Sequence, residues 1–290
     1  LVLYSGSFKE IVDIPLETIP VEAFLQSQKQ IVFRSPLGLF VYGIDGTLVR
    51  KLGGKEIGGD PGTVAPLKPG WVATTSGGTL FAYATDGHSM AVVDRLSWIF
   101  DLRALPGNAL LVSTDREIRI YDGWPLKLRS KAILPEDVTA VEPVGQNTLL
   151  VAATPNARWY GFPQRKFGYA RLYVYGLPDL HLRASQSLSE IGRVLGMREI
   201  GNFVAVGIDR CTDEKPNIVR FLNPDFSQSN RADLTIEGLT TIVAVNDHLV
   251  TAEKPCAMSE NGSLQDYNIK TGRLRPIVNG PQYILQLDGS

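Results

Sequence analysis

The chain has 290 residues, with 29 Lys plus Arg against 30 Asp plus Glu, a formal net charge of -1 and 44% hydrophobic residues. This length fits one large all-β domain with a sizeable core. The charge balance argues against a general nucleic-acid or membrane-surface binder, and no apolar run is long enough to span a bilayer.

In chain order, "LVLYSG" and "KEIVDIPL" read as two short strands. "VEAFLQSQKQIVFRSPLGLFVYGIDGTLVRKL" reads as four, with a turn at Asp45-Gly46. "LGGKEIGGDPG" follows as a mobile connection. It does not lead from a strand into a helix, and Gly54-Lys55 is followed by Glu56 rather than Ser or Thr, so it is not a phosphate cradle. "VAPLKPGWVATTSGGTLFAYATDGHSMAVVDRL" supplies four more strands. The clearest unit, "FDLRALPGNALLVSTDREIRIYDGWPLKLRSKAI", predicts strands at Phe100–Leu105, Ala109–Ser113, Glu117–Tyr121 and Leu126–Ile133. Pro106-Gly107-Asn108 and Asp122-Gly123 make its turns, where glycine allows positive φ at little steric cost. Three further units follow. They are "VTAVEPVGQNTLLVAAT" with "ARLYVYGLPDLHLRASQSL", "GRVLGMREIGNFVAVGID" with "NIVRFLNPDFSQSNRADLTI", and "TTIVAVNDHLVTAE" with "SLQDYNIKTGRLRPIV". "QYILQLDG" near the end reads as one more strand.

Six complete units of four strands, labelled A to D in each, recur at a spacing of roughly 40 residues. A seventh unit would draw an A strand from the C-terminus and C and D strands from the N-terminus, closing a ring that hides its sheet edges. The pattern resembles the seven-bladed β-propeller superfamily of WD40-like and YVTN-like repeat proteins, although the Gly-His and Trp-Asp signatures of WD40 repeats are missing. "YDG" and "YNIKTG" are the nearest echoes. The expectation is an all-β, seven-bladed β-propeller of four-stranded antiparallel blades with the ring closed by strands from both termini. Residues 1–290 read as a single domain of a longer protein, since residue 1 is Leu and no signal-like segment precedes the first strand. The superfamily resemblance implies mostly binding and scaffolding roles, with some enzymes.

Catalytic motifs are scarce. His88, His181 and His248 fall in different units at dissimilar positions, so neither a metal site nor a nucleophilic triad is expected, and no cofactor motif is present. A lactonase-like or lyase-like propeller enzyme, or a small-ligand sensor, would need polar groups on the A strands that line an axial channel. Arg103, Glu142 and Arg193 are the charged exceptions there, and rim salt bridges account for them equally. Asn261-Gly262-Ser263 matches a glycosylation sequon, which matters only in a secreted protein.

The B–C loops distinguish the units. They are tight in the first three complete units and long in the last three: residues 158–169, 210–217 and 253–263. The first of these gathers Arg158, Trp159, Tyr160, Phe162, Arg165, Lys166, Phe167 and Tyr169 without an acidic residue. Long loops on a rigid scaffold tend to carry binding, and aromatic and Arg side chains are favoured interface anchors. The expected function is a non-catalytic scaffold that binds another protein or peptide through these loops; nucleic acid stacking on the rings gains no help from the overall charge. Cys211 and Cys256 lie in the second and third long loops. They stand either as free thiols, which favours the cytoplasm, or as a disulfide between neighbouring loops in an oxidising compartment.

Overall fold

A computed structural model describes residues 2–4, 10–13, 22–27, 30–85, 87, 89–157, 168–210, 216–236, 238–253 and 263–279. The chain is all-β, and its described strands form six four-stranded antiparallel sheets and one two-stranded sheet. It divides into two compact units that part between Ile133 and Leu134.

The first unit opens with the antiparallel pair β1 (Val2–Tyr4) and β2 (Glu10–Asp13). Sheet 1 holds β3 (Glu22–Ser27), β4 (Gln30–Ser35), β5 (Gly38–Gly43) and β6 (Leu48–Leu52). A helical turn, α1 (Gly54–Ile57), leads into sheet 2: β7 (Pro61–Leu67), β8 (Gly70–Thr75), β9 (Thr79–Tyr83) and β10 (Ser89–Arg95). Sheet 3 holds β11 (Ile99–Leu105), β12 (Ala109–Thr114), β13 (Glu117–Asp122) and β14 (Lys127–Ile133). The second unit holds sheet 4 with β15 (Asp137–Val144), β16 (Thr148–Thr154), β17 (Tyr169–Gly176) and β18 (His181–Ile191). Sheet 5 follows with β19 (Arg193–Ile200), β20 (Phe203–Asp209), β21 (Asn217–Leu222) and β22 (Leu234–Ile236). Sheet 6 holds β23 (Leu239–Val245), β24 (His248–Glu253), β25 (Ser263–Asn268) and β26 (Arg273–Asn279).

In every four-stranded sheet the strands pair in sequence order, each with its chain neighbour. Each sheet therefore has a turn end, carrying the A–B and C–D turns, and a loop end, carrying the B–C and D–A connections. Within each unit the first strand of one sheet packs against the first strand of the next. Second strands lie in the middle of this stack and are buried on both faces: β8 and β12 are buried at every position. That is why their sequences run apolar without alternation. Fourth strands are outer edges, and β14 is largely exposed with Lys127, Arg129 and Lys131 along it. Charged side chains on an edge discourage pairing with another chain.

A repeated cross-strand pair flanks the C–D turn of four of the six four-stranded sheets. Tyr42 stands opposite Leu48, Tyr121 opposite Leu128, Tyr175 opposite Leu182, and Tyr267 opposite Leu274. The tyrosines are buried in the cores between sheets. In the first unit, Trp71 stacks on Tyr83 at 4.3 Å and Phe33 on Phe40 at 4.9 Å. In the second, the core around Leu150, Val174, Val194, Met197 and Ile208 is aliphatic.

Two local expectations change. "LGGKEIGGDPG" is not plain coil: Ile57 of α1 is buried, the Gly53 N–H donates to Glu56 Oε2 at 2.8 Å, and Gly58 ends the turn at φ 72. The fourth strand of sheet 5 shrinks to three residues. In place of its start, Arg231 lies over the Phe203 and Phe221 rings at 5.0 and 5.6 Å and donates to Tyr267 Oη. A guanidinium held by two aromatic faces and a phenol covers the core edge that a strand would otherwise shield.

Candidate functional site

The loop ends are built differently in the two units. In the first, a hydroxyl at the end of the second strand closes each B–C turn. Ser35 Oγ accepts the Leu37 N–H at 3.0 Å, Thr75 Oγ1 accepts the Thr79 N–H at 3.2 Å, and Thr114 Oγ1 donates to the Glu117 carbonyl at 3.3 Å. In the second, the equivalent polar groups hold the stems of long loops. Thr154 Oγ1 donates to the Gly192 carbonyl. Asn217, fully buried, accepts the Arg210 N–H at 2.7 Å and donates to the Leu239 carbonyl at 3.3 Å, tying loop stem and next sheet together.

Of the residues expected to bind a partner, Tyr169 opens β17 and is 57% exposed. Arg158, Trp159, Tyr160, Phe162, Arg165, Lys166 and Phe167 lie outside the described residues, as do Cys211, Cys256 and His88. The stems of this first long loop are set by Ala157, which is buried, and by Gly168, whose carbonyl accepts the Gly192 N–H.

Charged latches join sheets just inside the loop ends. In the first unit, Arg119 of β13 donates to Asp94 of β10 and to Glu117, each at 3.0 Å, and Tyr121 donates to Asp94 at 2.6 Å. In the second, buried Arg220 of β21 meets Asp233 at 2.7 Å, Glu190 of β18 at 3.0 Å and Ser189 at 2.9 Å, and Arg210 approaches Glu190 at 3.5 Å. Burial works against the Arg220 charge, but Asp233 and Glu190 outweigh it and raise its pKa. Tyr173 donates to Glu136. Burial, reinforced by that carboxylate, pushes the Tyr173 phenol up to about 12.

Two of the charged A-strand residues, Arg103 and Glu142, meet local partners. Arg103 meets Asp101 at 2.9 Å on its own strand. Glu142 of β15 is met by Arg198 of β19 at 3.1 Å, and its other oxygen accepts the Glu199 N–H. Arg193 opens β19 opposite Asp209. His181 opens β18 and His248 opens β24, as expected. His248 Nδ1 lies 2.7 Å from Asp266 Oδ1, while Asp266 Oδ2 accepts from Arg275. Asn268 Oδ1 accepts the Lys270 and Thr271 N–H groups, so its Nδ2 faces His248 Nε2 as donor. This makes Nε2 an acceptor and puts the ring proton on Nδ1, toward Asp266. Among the described residues, no group of three His, Cys, Asp or Glu is placed to hold a metal, and no helix is long and apolar enough to cross a membrane.

Apart from Tyr169, the sequence reading missed the most exposed apolar side chains. Among the described residues the four most exposed large ones are Ile133 at 72%, Trp98 at 64%, Leu37 at 59% and Tyr169. All four sit at the loop ends of their sheets: Leu37 in a B–C turn, Trp98 in a D–A connection, Ile133 at the end of a fourth strand, Tyr169 at the start of a third. Phe100, 43% exposed, joins Trp98 with ring centroids 6.2 Å apart. A bulge in β11 leaves Phe100 without a cross-strand partner. Such bulges recur within the first three residues of β15, β19 and β23, with Thr139, Leu195 and Thr240 in the equivalent place. A bulge re-aims a side chain, and here it carries a large ring outward. The legible signal was Trp98-Ile99-Phe100, where apolar residues occupy both faces of a strand start.

No protein-family model matches the chain, and no curated protein matches it. Solved structures do. A computationally designed protein, Ika8, has a TM-score of 0.64 at 14% identity, over 95% of this chain and 79% of that one. The AfRom2 CNH domain has a TM-score of 0.60 at 12% identity, over 93% of this chain and 88% of that one. At these identities the likeness carries the fold alone: a β-rich repeat of four-stranded sheets.

Proposed function

We propose that the chain is a seven-bladed β-propeller acting as a non-catalytic scaffold, and that it binds another protein through the long B–C loops of its second unit. Six four-stranded sheets and one two-stranded sheet support the propeller reading, with the two-stranded sheet as part of a closing seventh blade. The observation that carries the binding reading is the placement of all three long loops at the loop ends of consecutive sheets, on stems held by buried groups such as Asn217. Rigid stems lower the ordering cost of a binding loop. The exposed Tyr169 ring continues this surface onto described strand. The rival reading, an enzyme or small-ligand sensor acting through an axial channel, is weakened because Arg103 and Glu142 are engaged with Asp101 and Arg198.

The test replaces Trp159, Tyr160 and Phe167 with Ser and compares partner capture from the native source with that of the parent chain. The expected result is lost capture with an unchanged melting temperature. Undiminished capture sinks the proposal, and strong destabilisation shows that the rings are structural. Thiol counting on denatured, unreduced protein addresses the loops independently. Two reactive thiols would exclude a Cys211–Cys256 bridge, and none would establish one.

A further inference from the structure

We propose that Phe203, Phe221 and Tyr267 form an arginine-binding cage at the turn end of sheets 5 and 6, filled by the chain's own Arg231 until an arginine side chain of a protein partner displaces it. The cage lies at the opposite end of these sheets from the long B–C loops, so it stands apart from the reading of those loops. Between third and fourth strands the other sheets have residues 44–47, 84–88, 123–126, 177–180 and 269–272, whereas sheet 5 has 223–233. This longer connection carries Arg231. Phe203 opens β20, while Phe221 and Tyr267 stand next to the last residues of β21 and β25. The two Phe rings meet edge to face with centroids 6.3 Å apart, and Tyr267 lies 5.6 Å from Phe221. The Arg231 guanidinium stands 5.0 Å from the Phe203 centroid and 5.6 Å from that of Phe221, and its Nη1 donates to Tyr267 Oη at 2.8 Å.

Arg231 is held unlike the other inward arginines. Arg119, Arg198 and Arg220 each meet a carboxylate. Among the described residues, no carboxylate pairs with Arg231. Parting a buried ion pair leaves an unmatched charge behind. Nothing of that kind follows when Arg231 swings out: it gives up ring contacts and one hydrogen bond to a neutral phenol, and its charge returns to water. Its N–H donates to Ser229 Oγ at 3.2 Å, and Asn230 and Ala232 on either side of it are exposed. The chemistry of the cage names the incoming ligand. Aromatic faces attract a cation through the ring quadrupole. The phenol oxygen accepts an N–H, which a quaternary ammonium lacks. A lysine ammonium is strongly hydrated, whereas a guanidinium is planar, weakly hydrated and stacks on rings. An arginine of a partner therefore reproduces both contacts. It competes with Arg231, a tethered ligand at high effective concentration, so a lone arginine binds weakly and a second contact nearby adds to it.

Titration of the full chain with N-acetyl-arginine amide tests this, followed by the ring proton shifts of Phe203 and Tyr267, with N-acetyl-citrulline amide as the uncharged isostere. Arg231→Ala should bind the arginine amide roughly tenfold to a hundredfold more tightly than the parent, because the tethered competitor is gone. On that variant the citrulline amide should bind roughly tenfold more weakly than the arginine amide or worse. Arg231→Gln keeps most of the stem without the charge. It should behave like Arg231→Ala and decides the question should that variant fail to fold. Phe203→Leu added to either variant should abolish binding. The Trp159/Tyr160/Phe167 triple-serine variant should respond like the parent, which separates this proposal from the one above. Equal binding by the parent and both Arg231 variants overturns it, as does equal binding of the two amides. So does a parent whose ring shifts stay unchanged at roughly a hundredfold the amide concentration that half-saturates Arg231→Ala, since Arg231 is then a fixed part of the core edge.

Discussion

The two units solve the same packing problem with different side chains. In the first, sheets 1 and 2 share a core led by the Trp71–Tyr83 stack, and the B–C turns are short and closed by hydroxyls. In the second, sheets 4 and 5 share an aliphatic core and an ionic latch centred on Arg220, and the B–C loops are long. A tight turn leaves its neighbours bare, which is why Leu37, Trp98 and Ile133 stand in solvent. A long loop needs its stems fixed, which is why Asn217 and Thr154 reach across to the next sheet. The difference teaches that one repeat can offer two kinds of surface by changing a single connection.

The largest expected effect tests the aromatic half. Trp71→Ala removes a fully buried ring and should cost about 4 kcal/mol, read as a lowered denaturant midpoint. A cost near zero would mean the stack is dispensable and the contrast false. Next comes the ionic half. Among the described residues, Arg220→Ala removes the only cation partner of Asp233, leaves Glu190 with Arg210 alone, and should cost about 3 kcal/mol. Arg119→Ala in the first unit should cost less, about 1 kcal/mol, because the Arg119 side chain is 18% exposed against 6% for Arg220 and Lys131 stays near Glu117. Equal costs would erase the distinction between the latches.

The stems give a smaller effect. Asn217→Ala leaves a buried N–H and a carbonyl unmatched and should cost about 2 kcal/mol, against about 1 kcal/mol for Thr114→Val in a tight turn. The reverse order would show that the long loops stand without their stems. The smallest effect is in alkali. An unfolded tyrosine ionises near 10, whereas folded Tyr173 keeps its proton to about 12. The folded state is then the one that holds the proton, so its contribution is complete below pH 10 and is lost as pH rises from 10 toward about 12. Tyr173→Phe should remove that part of the alkaline decline, while Tyr83, also raised to about 12 by burial in the first unit, keeps its own part. An unchanged alkaline profile in Tyr173→Phe would remove Tyr173 from the account.

The sequence by itself determined the repeat. Strand starts and stops followed from turn chemistry: Pro106-Gly107-Asn108 is a turn with φ 76 at Gly107 and 61 at Asn108, and Ala109–Thr114 runs apolar because both its faces are buried. These are local constraints, and local constraints can be read from neighbouring residues. It also determined which connections are long, since loop length is a count. Only the tertiary structure decided what meets what. Arg198 finds Glu142 across 56 positions, Arg231 replaces a missing strand edge by lying on Phe203 and Phe221, and a bulge in β11 turns Phe100 outward. Such pairings depend on how one sheet is placed against the next, and the hydrophobic pattern within a sheet fixes its faces without fixing that placement.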